Sequence, residues 1–356
     1  MTPRQRVEIA LRGGHADRIP FTMYESKVPR CAAERALRNR GMCIVDRTVN
    51  VFRTHRPNVK VHEKVSWAGG KRNVRVVYET PLGPLTSAYE DAGFTSWVHE
   101  RPFKCPDDFA RIRFFLQDEQ YEPNYQAFQD HQDHCGEDVI LRAGFGLEPL
   151  QELISGSLMH METFAEQWMD HRDEMLELYD ILVNNRRKVY PLVAQSPALI
   201  ANYGGNVVVE MIGAECFEDY YVPHYNEAAE IMHRHGKLVG CHFDDDCRLL
   251  ANAINTTDLD YIEAFSPAPD SDMTLAQARA AWPDKIIWIN FPSSQHSQSD
   301  DRVEQIAFDL AEQAGSPDGV LMGLTEDVPA HRWQHSCRAI MDGLGRHAAE
   351  RPNWYD

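Results

Sequence analysis

The chain has 356 residues, enough to bury one large core or two ordinary ones. Its 43% apolar and 25% charged residues belong to a globular protein and exclude a disordered chain. A formal net charge of −18 disfavours nucleic acid and anionic membranes as partners, and no apolar run reaches the length of a membrane span.

The first third of the chain has a rhythm of its own. Residues 2–13 predict a short helix with Thr2 as N-cap and Pro3 at its first position, followed by a strand in RIPFTMY (18–24). From about 48 to 103, NVRVVYET, a TPLG turn, LTSAYED and FTSWVHE read as a β-meander, with Gly69-Gly70 marking a hairpin turn. This stretch is expected to be an insertion into one main domain spanning 1–356. The N-terminus has neither the apolar core nor the cleavage pattern of a signal peptide, so a cytoplasmic address is expected. Eight cysteines stand singly, with no CxxC pair, which points to reduced thiols rather than a disulfide framework.

From about residue 137 strands and helices alternate. DVILRAGF (138–145) predicts a strand, EPLQELIS starts a helix, and 162–193 reads as one long helical region. Strand ALIANY (198–203), helix 218–236 and strand KLVGCHF (237–243) follow. Three more strand–helix pairs have their strands at 259–265, 285–291 and 319–326, and the last helix spans roughly 330–347. Nearly continuous apolar strands between helices indicate a parallel sheet covered by helices. With RIPFTMY and MCIVD (42–46) the count reaches about eight, which fits an α/β fold of the (β/α)₈ TIM-barrel type with an N-terminal helical and β-meander elaboration. Neither GxGxxG nor GxxxxGK[ST] occurs, so no nucleotide-binding motif competes with this reading.

Barrel enzymes carry their chemistry at the C-terminal ends of the strands. Those ends hold Tyr203 with Asn206, His242 with Asp244, Glu263, Asn290, and Glu326 with Asp327. His242 and Asp244 are two apart and share a side of an extended segment. With Glu326 from a later strand they make one imidazole and two carboxylates, a three-ligand zinc set with an open position. Glu263 is placed as ligand, general base or the group that orients His242. Asp244, Asp245 and Asp246 also lie where an N-cap belongs, and at least one is expected to cap residues 247–255. Cys241 should face away from His242, and Cys247 falls inside the following helix. His224, His233 and His235 are assigned to a helix surface. HQDH (131–134) has ligand-like spacing but precedes a strand, which assigns it to the non-catalytic end.

Three stretches together carry a resemblance. TPRQRVEIALRGGHADRIPF, GNVVVEMIGAECFEDYYVPHYNEAAEIMHRHGKLVGCHFDDD and GVLMGLTEDVP resemble, in this order, segments of the uroporphyrinogen decarboxylase superfamily. That superfamily divides into porphyrinogen decarboxylases and cobamide-dependent methyltransferases. The decarboxylases carry an arginine-containing RQAGR-type segment after the first strand, where this chain reads FTMYESKVPRCAAERALRNRG. A polyanionic substrate needs such fixed cations. The thiol-methylating branch holds zinc by a His-x-Cys pair and a distant Cys. The matching positions here are His242, Asp244 and Glu326, and carboxylates in place of thiolates make a harder site.

The resemblance therefore implies a zinc-dependent methyltransferase of the O-demethylase type. It would move a methyl group from a methoxylated, aromatic small molecule to the Co(I) corrinoid (cobalamin) of a partner protein. His242 and Glu263 would be catalytic, and His242, Asp244 and Glu326 would hold Zn²⁺. Tyr24, Tyr203, Asn206 and Asn290 would line the substrate pocket. A decarboxylase or lyase for a small carboxylate, and a non-catalytic ligand-binding barrel, are the alternative readings. A homodimer is left open by the sequence.

Overall fold

The computed structural model describes residues 1–92, 95–156 and 158–355. They fall into two compact units, one of 1–51, 124–146 and 193–356, the other of 52–123 and 147–192. Phe94, the first residue of the expected strand 94–100, lies outside the described residues.

Fifteen strands occur in chain order among the described residues. The first unit opens with β1 (Phe21–Tyr24) and β2 (Met42–Asp46). The second unit contributes β3 (Phe52–His55), β4 (Lys60–Ala68), β5 (Lys71–Thr80), β6 (Gly83–Ala92), β7 (Thr95–Glu100) and β8 (Gln120–Pro123). The first unit resumes with β9 (Val139–Leu141), β10 (Ala143–Gly146), β11 (Ile200–Tyr203) and β12 (Leu238–His242). It ends with β13 (Tyr261–Phe265), β14 (Ile286–Asn290) and β15 (Val320–Leu324).

The first unit is the expected α/β barrel. Its parallel sheet runs β10-β11-β12-β13-β14-β15-β1-β2-β9. The two end members are halves of one segment, separated only by Arg142. The first half pairs with β2 and the second with β11, so the nine strands make eight staves. The sequence predicts DVILRAGF as one strand. The break at Arg142 is what lets that segment serve both neighbours.

The barrel interior is filled according to strand alternation. Tyr24, Cys43, Val45, Tyr261, Trp288 and Leu321 belong to one buried cluster. The Trp288 indole donates to Thr22 Oγ1 at 2.8 Å, and the Tyr261 hydroxyl donates to the Ala201 carbonyl at 3.0 Å. Gly240 makes room for Tyr261, because a Cβ there would lie 2.1 Å from the ring. Val7, Ala10 and Leu11 of the first helix, Pro3–Leu11, join Ile200 and Ile286 in the same cluster and plug the end where the strands begin. That helix starts as predicted, with Thr2 Oγ1 accepting from the Gln5 amide at 3.2 Å in a capping box.

Two helices expected to be continuous are broken. Region 162–193 is Met161–Asp170 and Arg172–Ala194, and region 218–236 starts earlier as Val209–Tyr220, then Val222–His233. Pro223 sits in the first turn of the latter, where its missing N–H costs nothing. In the second unit β4–β7 form the antiparallel meander, with Gly69 and Gly70 at the β4–β5 turn, and β3 pairs with β8. Among the described residues no helix is long and apolar enough to cross a membrane.

Substituting Gly240→Ala should overpack the barrel and lower unfolding stability by about 1–3 kcal/mol. A urea titration followed by far-ultraviolet circular dichroism measures it, and an unchanged midpoint would contradict this account of the interior.

Candidate metal centre

The centre is built where β12 and β13 end side by side. His242 and Glu263 are register partners, so their side chains emerge next to each other on the interior face. Cys241 faces the other way, as expected, and its thiol donates to Tyr225 Oη at 3.4 Å. Gly205 passes directly over the end of β12. A Cβ on it would fall 1.7 Å from the His242 carbonyl oxygen, and its φ of +73° suits glycine. β13 carries a bulge between Glu263 and Phe265, with Ala264 at φ 62° in the left-handed region. A strained, bulged residue beside a charged strand end is characteristic of functional sites.

Glu263 is completely buried. Its Oε1 accepts from the Tyr24 hydroxyl and from Arg142 Nη1. Its Oε2 accepts from Asn202 Nδ2 at 2.8 Å and from His242 Nδ1 at 3.0 Å. Arg142 Nη1 also donates to Tyr24 Oη at 3.1 Å. Burial opposes the charge on Glu263, but the Arg142 guanidinium and the His242 hydrogen bond outweigh it and hold the carboxyl down to about 2. At neutral pH Glu263 is therefore ionised, and of the roles expected for it the hydrogen bond to Nδ1 fits the orienting one. It orients His242. Burial pushes the Tyr24 phenol well above its ordinary value, so Tyr24 remains a neutral donor.

With Nδ1 committed to Glu263, the other imidazole nitrogen faces outward. His242 Nε2 lies 3.5 Å from Asp244 Oδ2 and 3.8 Å from Glu326 Oε1. One donor atom from each of these residues lies within 4.8 Å of the others. Side-chain exposure rises from 12% at His242 to 28% at Asp244 and 40% at Glu326, so the group opens to solvent on the Glu326 side. Burial would lower the His242 pKa, but hydrogen bonds to Asp244 and Glu263 overcome it and raise it to about 9. Burial likewise opposes the charge on Asp244, and the imidazole beside it keeps its pKa below the usual carboxylate value. The surrounding acids therefore favour positive charge at this point. A divalent ion held by one nitrogen and two oxygens fits that demand and a three-ligand zinc pattern.

The structure sorts the remaining expectations. Tyr24 does reach the centre, through Glu263 and at 3.4 Å from His242 Nδ1. Tyr203 does not line it: its ring stacks edge-on with Tyr225 and lies near Phe145, on the helix side of the sheet. Its neighbour Asn202 points inward instead, because side chains alternate along a strand. Asn206 is exposed in left-handed backbone at φ 59°. Asn290 is buried and spends its amide on Ser266 Oγ at 3.3 Å and its oxygen on the Thr325 amide at 3.1 Å. It thus fixes the backbone just before Glu326 rather than contacting a ligand through those atoms. The expected cap from Asp244–Asp246 is also corrected. Asp272 supplies it, accepting from the amides of Cys247 at 3.1 Å and Arg248 at 3.2 Å. Cys247 precedes the short turn Arg248–Leu250, and its thiol donates to the Asp245 carbonyl. His224, expected at a surface, is buried, whereas His233 pairs with Asp260 at 2.9 Å.

Arg142 and Asn202 are not among the residues that the strand ends alone point to. A lone arginine inside the apolar run DVILRAGF was the available signal for the first. For the second, only the strand register distinguishes Asn202 from Tyr203.

No family model and no curated protein matches the chain. Among solved structures, a methyltransferase from Methanosarcina mazei superposes with a TM-score of 0.51 at 10% identity, over 71% of this chain and 72% of that one. What the two share is the fold. The tandem GH20 catalytic modules of a pneumococcal exo-β-D-N-acetylglucosaminidase overlap more loosely, with a TM-score of 0.37 at 10% identity over 93% of this chain and 84% of theirs.

Metal uptake must displace the Nε2 proton of His242. Below its pKa of about 9, zinc binding should therefore release a proton, and apparent affinity should rise with pH and level off above that value. Calorimetry in buffers of different ionisation enthalpy measures the release; a pH-independent affinity between pH 6 and about 8 would contradict it. Replacing Glu263 with Gln should weaken zinc binding about 10–100-fold by loosening the imidazole. Equilibrium competition with a chelating dye reads this, and unaltered affinity in a folded variant would remove Glu263 from the role.

Proposed function

We propose that this chain is a zinc-dependent methyltransferase. It takes a methyl group from a methoxylated, aromatic substrate and delivers it to the Co(I) corrinoid of a partner protein. On this reading it would belong with the cobamide-dependent methyltransferases of the uroporphyrinogen decarboxylase superfamily. The observation that carries the reading is the convergence of His242 Nε2, Asp244 and Glu326 at the mouth of the barrel. The barrel shared with a methyltransferase agrees with it.

His242, Asp244 and Glu326 would hold the ion, which when bound supplies Lewis acidity towards the substrate oxygen. The partner's reduced corrinoid would be the nucleophile and the acceptor of the methyl group. The methyl carbon–oxygen bond breaks with its electron pair remaining on oxygen. Glu263 keeps the His242 ring in one orientation, while Arg142, Tyr24 and Asn202 keep Glu263 ionised and fixed. Glu263 does not protonate the departing alkoxide or phenolate; that proton comes from solvent on the open Glu326 side.

The charge pattern disfavours decarboxylation of a polyanion. The two arginines around Tyr24 are already matched, Arg142 with Glu263 and Arg47 with Glu25 at 3.0 Å. A substrate rich in carboxylates would have to take them from those partners.

Anaerobic incubation with cob(I)alamin and a panel of methoxylated aromatics, methylamines and thiols tests the proposal, with methylcobalamin formation followed by absorbance. Methoxylated aromatics should be the active donors. Chelation should abolish the reaction and zinc restore it, and Glu326→Gln should reduce the rate about 100-fold or more. Zinc-loaded protein that forms no methylcobalamin from any donor would overturn the proposal.

A further inference from the structure

Within the histidine-rich stretch 131–134, His131 reaches the last residue of β2. The helix Tyr125–His134 carries His131 one turn before its C-cap residue Cys135, so the two side chains share a face. That face meets the last residue of β2. Cys43 and Val45 belong to the buried cluster of the barrel interior, so alternation turns Asp46 outward, towards the helix. His131 Nε2 lies 3.0 Å from Asp46 Oδ2, and Cys135 Sγ lies 4.0 Å from the same nitrogen.

The carboxylate is held by a local turn that leaves one oxygen for His131. Thr48 donates to Asp46 Oδ1 twice, from its amide at 2.9 Å and its hydroxyl at 2.6 Å. One oxygen is thereby saturated, and the other is aimed at His131. This is the outer support that metal-binding carboxylates receive. The Asp46 side chain is 5% exposed and His131 31%, so the group is anchored inside and reachable from outside.

We propose that Asp46 Oδ2, His131 Nε2 and Cys135 Sγ form a second divalent-metal site, distinct from the one at the barrel mouth, with zinc as its occupant. The three donor atoms lie within 4.8 Å of one another. An oxygen, a nitrogen and a sulfur suit a borderline ion such as zinc, whereas magnesium and calcium prefer oxygen alone. Binding takes Cys135 as thiolate and releases its proton to solvent. The Asp46 carbonyl accepts from the Arg142 amide at 3.0 Å. An ion here would therefore brace the backbone that carries Arg142, the main counter-charge of Glu263.

Cobalt substitution separates the two sites. A thiolate bound to Co²⁺ gives a sulfur-to-cobalt charge-transfer band in the near ultraviolet, and the mouth site, made of nitrogen and oxygen donors, gives none. Metal-free protein loaded with cobalt should show the band. It should persist in His242→Ala, vanish in Cys135→Ser and fall sharply in His131→Ala. Zinc content should drop by one ion per chain in Cys135→Ser while the mouth site stays filled. Absence of the band in the native protein, or its survival in Cys135→Ser, would overturn the proposal, as would unchanged zinc content in that variant. Should Cys135→Ser lose its native circular dichroism, Asp46→Asn and His131→Ala decide the matter. A band of full intensity in both, with the fold retained, overturns it equally.

Discussion

A carboxylate with no contact with water stays ionised inside a protein only when its charge and hydrogen-bonding capacity are both met. Glu263 meets that condition with Arg142 and Tyr24 on one oxygen and Asn202 and His242 on the other. The rest of the centre follows from it. Because Glu263 takes His242 Nδ1, Nε2 must face Asp244 and Glu326, and the outward nitrogen becomes available to an ion. Remove the counter-charge and the cost of burying Glu263, several kcal/mol for an unpaired ion, falls on the barrel itself.

The fold supplies these partners from separate staves. Tyr24 ends β1, Asn202 lies in β11, His242 ends β12, and Glu263 sits at the bulge of β13. Arg142 comes from the break between β9 and β10, which is also where the ring closes. Closure of the barrel and ionisation of Glu263 therefore depend on the same short segment. The positive φ of Ala264 is a local cost of about 1–2 kcal/mol that the surrounding hydrogen bonds must offset.

Much of this was legible in the chain because buried parallel strands read as unbroken apolar runs. The alternation after residue 137, the polar strand ends and the trio His242, Asp244 and Glu326 all emerged that way. What stayed hidden depended on register or on distant segments. Asn202 is masked by Tyr203 because a strand end alone does not say which side chain points inward. The cap from Asp272 comes from a residue about 25 positions away, which no local acidic cluster could reveal. The break at Arg142 is invisible to a pattern that counts apolar residues, although the charge itself was in plain view. Asp46 and His131, 85 positions apart, meet only in the folded barrel.

With an ion in place, Asp244 and Glu326 would balance its two charges, as Arg142 balances Glu263, and the mouth would become electrically even. The central claim is that the outward nitrogen of His242 and these two carboxylates hold a metal. Anomalous diffraction at the zinc edge from crystals of the zinc-loaded protein tests it most directly. The account predicts a peak within about 2.0–2.2 Å of His242 Nε2 and of one oxygen each from Asp244 and Glu326, with Glu263 still bound to Nδ1. Zinc absent from this position at full loading, or bound to Glu263 in place of Glu326, would contradict it.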